Sequence, residues 1–154
     1  MKKYALTLSV IILTALAAVL LTKVVIAAIT SITLVSPSDN SWTDDNTPSF
    51  TFKAISNSSP TFSCYLTIDG SNVASNGSVS NNTNTILTSS DILSDGSHKW
   101  NITCDDGVGT MTSTTRTINV DTQDPQVTLI SPTDGSSLSS TKVNFKFKVT
   151  DNLD

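Results

Sequence analysis

Between Thr61 and Ile68 the chain reads TFSCYLTI, with Phe62, Cys64, Leu66 and Ile68 alternating with Ser63, Tyr65 and Thr67. HKWNITC repeats the pattern, with His98, Trp100, Ile102 and Cys104 on one side and Lys99, Asn101 and Thr103 on the other. A period of two belongs to a β-strand with one face in a core and one in water. The same reading predicts strands over 32–35, 49–55, 61–68, 72–74, 85–88, 98–104 and 112–120. Turn formers separate them: SPSDNS, SNSSP, Asp69-Gly70, SNG at 75–77, SDGS at 94–97 and DDGVG at 105–109. SSDILSDG at 89–96 reads as a single helical turn or a loop, and NGSVSNNTN at 76–84 as an exposed loop or edge. Seven short strands at this spacing predict an all-β sandwich spanning 30–121. Trp100 is its expected centre, with Phe50, Phe52, Phe62, Leu66 and Ile102 around it.

The pattern then begins again. ITLVSPSDNS at 32–41 is matched by VTLISPTDGS at 127–136, an offset of 95 residues. The offset holds for Pro37 and Pro132, Asp39 and Asp134, Phe50 and Phe145, Phe52 and Phe147, and Lys53 and Lys148. One small β-sandwich is about 100 residues, so the repeat has the length of one module. Residues 122–125 form the linker, where Pro125 interrupts ladder pairing. Residues 126–154 supply two strands of a second, incomplete repeat, over 126–130 and 142–150.

Composition agrees with strands and turns. Serine and threonine are 24 each, and all 13 acidic residues are aspartate. Glutamate, which favours helix interiors, is absent, while Thr and Val favour strands. Beyond residue 28 six basic residues face 13 acidic ones, a net charge of −7. Such a surface repels phosphate backbones and argues against nucleic-acid partners.

The N-terminus is of another kind. Lys2 and Lys3 precede an uncharged run from Ala5 to Leu21, and Ala27 and Ala28 follow as small residues. Residues 1–28 read as a signal peptide or, because roughly 20 apolar residues span a bilayer, as an N-terminal membrane anchor. A hydrophobic helix is expected there, with the lysines inside and the remainder exported. This is the expected membrane contact. Asn57, Asn76, Asn81 and Asn101 each begin an N-x-S/T sequon and are candidate glycan acceptors in an exported chain.

Cys64 and Cys104 face inward on the third and sixth predicted strands, which neighbour each other in a seven-stranded sandwich. An even cysteine count in an exported chain favours a disulfide between them, with free buried thiols as the alternative. Two cysteines and one histidine do not make up the four ligands of a zinc site, and no metal is expected there. His98 lies about 20 Å along the strand from Cys104, too far for proton transfer. Asp105-Asp106-Gly107 reads as a turn rather than a paired-carboxylate site. With no phosphate loop either, neither an enzyme nor a cofactor is expected. Trp42 in a polar turn and the outward-facing Tyr65 are candidate ligand-stacking aromatics.

The repeat, the Asp-Pro joint and WNITCDDG together resemble the Ig-like and fibronectin-type-III-like tandem repeats of bacterial and archaeal secreted and cell-surface proteins. The resemblance spans residues 31–154 and implies extracellular display, spacing or adhesion, with no catalytic residues to carry over. Its expected partners are other surface proteins, glycans and neighbouring modules. In some such repeats calcium stiffens the joints, which makes Asp121, Asp124 and Asp134 weak candidates. Calcium takes six to eight oxygens, and no DxDxD run is present. The leading expectation is a surface spacer or interaction scaffold. A carbohydrate-binding module and a filament subunit using strand addition are the alternatives.

Overall fold

The computed structural model describes residues 28–57 and 59–153. The expected N-terminal helix, whether signal or anchor, lies outside these residues. Eleven strands form among the described residues: β1 (Ile29–Ser36), β2 (Ser41–Thr43), β3 (Ser49–Ser56), β4 (Thr61–Ile68), β5 (Ser71–Ser80), β6 (Asn84–Thr88), β7 (Gly96–Asp105), β8 (Thr110–Thr112), β9 (Arg116–Val120), β10 (Gln126–Ser131) and β11 (Lys146–Thr150). No helix forms among them. The segment 89–95 is a loop.

Two sheets are built from the first nine strands. One has the order β1-β3-β6, and the other runs β2-β9-β7-β4-β5 with β8 also pairing with β7. All pairs are antiparallel except β2 with β9, which is parallel. The alternation in β3, β4 and β7 turns one face of each inward. Trp100, Phe50, Phe52, Leu66 and Ile102 are fully buried, with Phe62 nearly so. The Phe50 and Trp100 rings, one from each sheet, meet at 4.7 Å between centroids and a tilt of 57°. Such aromatic pairs add about 0.5–1.5 kcal/mol beyond area burial. Among the described residues the Trp100 indole N–H has no hydrogen-bond partner.

The structure departs from the sequence expectation in several places: nine strands rather than seven build the sandwich, and the expected strand 142–150 is confined to Lys146–Thr150. Trp42 lies in the short edge strand β2 rather than in a turn. The expected strand 72–74 is ten residues long and reaches Ser80. It is the edge of its sheet, pairing only with β4. A strand solvated along one side tolerates the Ser, Asn and Gly content that reads as a loop. The expected strand 112–120 is two strands, β8 and β9. Between them the Ser113 hydroxyl accepts the Ile102 N–H, and Ser113 N–H returns a bond to the Ile102 carbonyl. A side chain thus takes the place of a ladder bond, and 113–115 bulge out.

Strands β10 and β11 pair only with each other. Val127 opposes Val149, Thr128 opposes Lys148 and Leu129 opposes Phe147, with an irregularity between Leu129 and Ser131. In β1 and β3, Ile32 opposes Ala54, Thr33 opposes Lys53 and Leu34 opposes Phe52, with an irregularity between Leu34 and Ser36. Every one of these pairs is displaced by 95 residues. Backbone detail follows the same offset: Asn40 and Gly135 both take positive φ, at 59° and 70°.

Candidate functional site

The cysteines sit opposite each other in the β4–β7 ladder. Their sulfurs are bonded at 2.05 Å, with Cα atoms 4.1 Å apart. The bridge therefore joins neighbouring strands within one sheet and is sealed in the core.

The same ladder register brings the turn after β4 to the start of β7. Asp69 and Gly70, at φ 48° and 84°, form a two-residue hairpin turn of the type that requires positive φ at both positions. Asp69 Oδ1 accepts the Lys99 N–H at 2.8 Å, and Oδ2 lies 2.6 Å from His98 Nδ1. The other imidazole nitrogen, Nε2, lies 2.8 Å from the Ser94 carbonyl. Burial pushes His98 down, but the bonds to Ser94 and Asp69 and the Asp69 charge raise its pKa above the ordinary histidine value. Burial likewise opposes ionisation of Asp69, while the His98 and Lys99 interactions hold it below the ordinary carboxylate value.

One residue beyond Ser94, Asp95 reaches the linker. Its Oδ1 accepts the Thr122 N–H at 2.9 Å and the Thr122 hydroxyl at 2.8 Å. Its Oδ2 accepts Asn152 Nδ2 at 3.0 Å, beyond the end of β11. The Thr122 bonds lead in lowering the Asp95 pKa. One carboxylate thus touches the sandwich, the linker and the C-terminal segment.

Arg116 ties the sheets at the other side. Its guanidinium donates to the Leu34 carbonyl at 2.9 Å and the Pro37 carbonyl at 2.7 Å. Asp106 does the same lower down, where Oδ2 accepts the Ser56 hydroxyl at 2.9 Å. Its Oδ1 takes the Val108 and Gly109 N–H groups, and Asp105 Oδ1 takes the Gly107 N–H. Desolvation pushes Asp106 up, but the bonds from Gly109, Ser56 and Val108 outweigh it and lower its pKa. Both carboxylates of CDDG are engaged in building a turn.

The stacking candidates are not brought together. Trp42 is 61% exposed beside an open cleft that includes Pro37, Asp45 and Pro48. Tyr65 is half-buried on the same outer face, but three strands away and six residues along, about 25 Å by strand geometry. Asn101 is half-exposed on that face too, opposite Thr67. Asn57 Oδ1 accepts the Ala28 N–H, and Asn76 Oδ1 accepts the Ser78 N–H. Asn81 is different: its amide accepts the Ser56 N–H and donates to the Ser56 carbonyl. The nitrogen that would carry a glycan holds β3 in place.

The three calcium candidates are not gathered either. Asp121 Oδ1 accepts the Gln123 N–H, Asp124 is exposed in the linker, and Asp134 lies in the turn after β10. Among the described residues no three His, Cys, Asp or Glu side chains converge as metal ligands would.

Sequence reading missed the His98–Asp69 pair and Arg116, and it gave Asn81 only as a glycan acceptor, not as the brace on Ser56. The first was within reach. Once Cys64 is set opposite Cys104, antiparallel counting places Asp69 opposite Lys99 and beside His98.

Two facing antiparallel sheets, a parallel edge strand and a core tryptophan on β7 define an immunoglobulin-like sandwich. The bacterial Ig-like domain profile matches residues 20–122, and the chain belongs to that family. Domains of this family commonly occur in surface proteins. No curated protein matches the chain.

Proposed function

We propose that the protein is an exported structural protein of the cell surface, built from Ig-like modules in tandem and acting as a spacer or interaction scaffold. The observation that carries this reading is the β10–β11 register, in which every pair matches a β1–β3 pair at an offset of 95 residues. The faces correspond as well. Leu34, Phe50, Phe52 and Ala54 are buried in the common core, whereas Leu129, Phe145, Phe147 and Val149 are exposed, Leu129 at 81% and Phe145 at 77%. A two-stranded hairpin is marginal in water, and this one has the face of a sandwich half. β10 and β11 are therefore the opening strands of a second module. Family membership and a buried disulfide support an oxidising, extracytoplasmic setting.

The test is a chimera in which residues 56–122 follow Thr150, so that β10–β11 take the place of β1–β3 in a second sandwich. The reading expects a second disulfide and protease resistance across 126–150. A hairpin that stays protease-sensitive in the chimera refutes it. Export is tested separately, by non-reducing mass measurement of protein recovered outside the cell.

The exposure of Trp42 beside a cleft favours carbohydrate binding as a second reading. Polysaccharide pull-down that is lost in Trp42→Ala would support it, and no retention on any glycan would dismiss it.

A further inference from the structure

His98 is the only histidine of the chain, and it is buried. Both ring nitrogens face acceptors. The Ser94 carbonyl can only accept, so Nε2 must carry a proton. The Asp69 carboxylate, already holding the Lys99 N–H, takes the other nitrogen and can only accept while ionised. A neutral imidazole would aim a lone pair at one of these oxygens. The contacts therefore select the imidazolium.

The charged groups around it are few. From the β4–β5 turn comes Asp69; the 89–95 loop carries Asp91 and Asp95; Lys99 is its neighbour on β7; β9 presents the apolar Ile118 opposite it. Asp69 makes the direct contact.

Ser94 is the last residue before Asp95, and Asp95 holds both Thr122 and Asn152. Upstream the loop is fastened by Ser89 N–H to Pro48, Ser90 N–H to Val73 and Leu93 N–H to Asn46. Between Leu93 and Gly96, which β9 holds opposite Val120, the bond from His98 is the added hold on the Ser94 carbonyl, next to the linker.

We propose that His98 is a proton-operated latch on the joint between the sandwich and the β10–β11 segment. Protonated, it pins Ser94 and so places the Asp95 carboxylate under Thr122 and Asn152. The Asp69 carboxylate holds the Nδ1 proton more strongly than a neutral carbonyl holds the other, so deprotonation takes the Nε2 proton, releases Ser94, and the linker loosens. The device goes beyond the spacer reading and bears on it only by setting joint stiffness. A failed chimera leaves the contacts and their test intact.

The test follows the intact 154-residue chain by NMR from pH 5.5 to 9. Imidazole ¹⁵N shifts report the His98 charge, and amide exchange at Thr122, corrected for its ordinary pH dependence, reports the joint. The latch predicts a His98 midpoint above 6.5 and an increase in Thr122 exchange of about tenfold, the worth of one charge-assisted hydrogen bond, with the same midpoint. In Asp95→Ala, Thr122 should exchange fast at every pH while the His98 titration persists. In His98→Gln, the pH step at Thr122 should vanish. A midpoint at or below 6.5, or Thr122 protection unchanged while His98 titrates, overturns the proposal. So does an Asp95→Ala chain with wild-type protection at Thr122. The wild-type titration decides even if His98→Gln fails to fold.

Discussion

Reduction of the Cys64–Cys104 bond is the sharpest test of what holds the sandwich together. β4 and β7 are hydrogen-bonded along Ser63–Ile68, so the bridge adds no new strand pairing to the folded state. Its effect lies in the unfolded chain, where it forbids conformations that separate residues 40 apart in sequence. The chain-entropy relation puts this at about 4 kcal/mol for a loop of that length. Whole domains are stable by only about 5–15 kcal/mol, so the bridge is a large fraction of the total. At about 4–8 °C per kcal/mol for a domain of this size, reduction should lower the melting temperature by roughly 15–30 °C. Thermal unfolding with and without reductant, followed by fluorescence of the buried Trp100, measures it. Cys64→Ala/Cys104→Ala should fall further by about 1 kcal/mol, because two sulfurs leave the core. Oxidised and reduced forms that melt within about 5 °C of each other would refute the reasoning.

Three further outcomes are expected. Arg116→Ala should cost about 3 kcal/mol in denaturant unfolding, since two partly buried carbonyls lose a charged donor, and Arg116→Lys should recover less than half, lacking the fork. Trp100→Phe should cost about 1–2 kcal/mol against about 3–5 for Trp100→Ala, because the indole N–H it discards has no partner. The pH profile follows from shifts of opposite sign, His98 raised and Asp69, with Asp95 and Asp106, lowered. The raised His98 pKa gives stability that is complete below the ordinary value of 6.5 and lost as pH rises through the folded value. The lowered Asp69 pKa gives stability present above 3.8 and lost as pH falls through its folded value. Melting temperature should therefore be highest between these limits, and His98→Gln should flatten the alkaline side.

Much of this architecture is legible in the chain itself. The alternation in 61–68 and 98–104 puts Trp100, Leu66 and Ile102 on an inner face and turns both cysteines inward on strands expected to be neighbours. What escaped was what depends on neighbours. β2 is three residues long and exists because Ser41, Trp42 and Thr43 lie alongside β9. The break between β8 and β9 arises from one serine hydroxyl inserted into the ladder. Asn81 resembled an exposed sequon until its amide was seen to bracket Ser56.

Side-chain period, turn chemistry and an internal offset of 95 residues act over a few neighbouring positions or by simple repetition, so the chain alone determined the central strands, their inner faces and the recurrence of 32–41 at 127–136. Which carboxylate meets which donor is another matter. Asp69 and His98 are 29 residues apart, and Arg116 and Leu34 are 82 apart. Those meetings are decided by ladder register and by how two sheets stack, and only the assembled fold sets both.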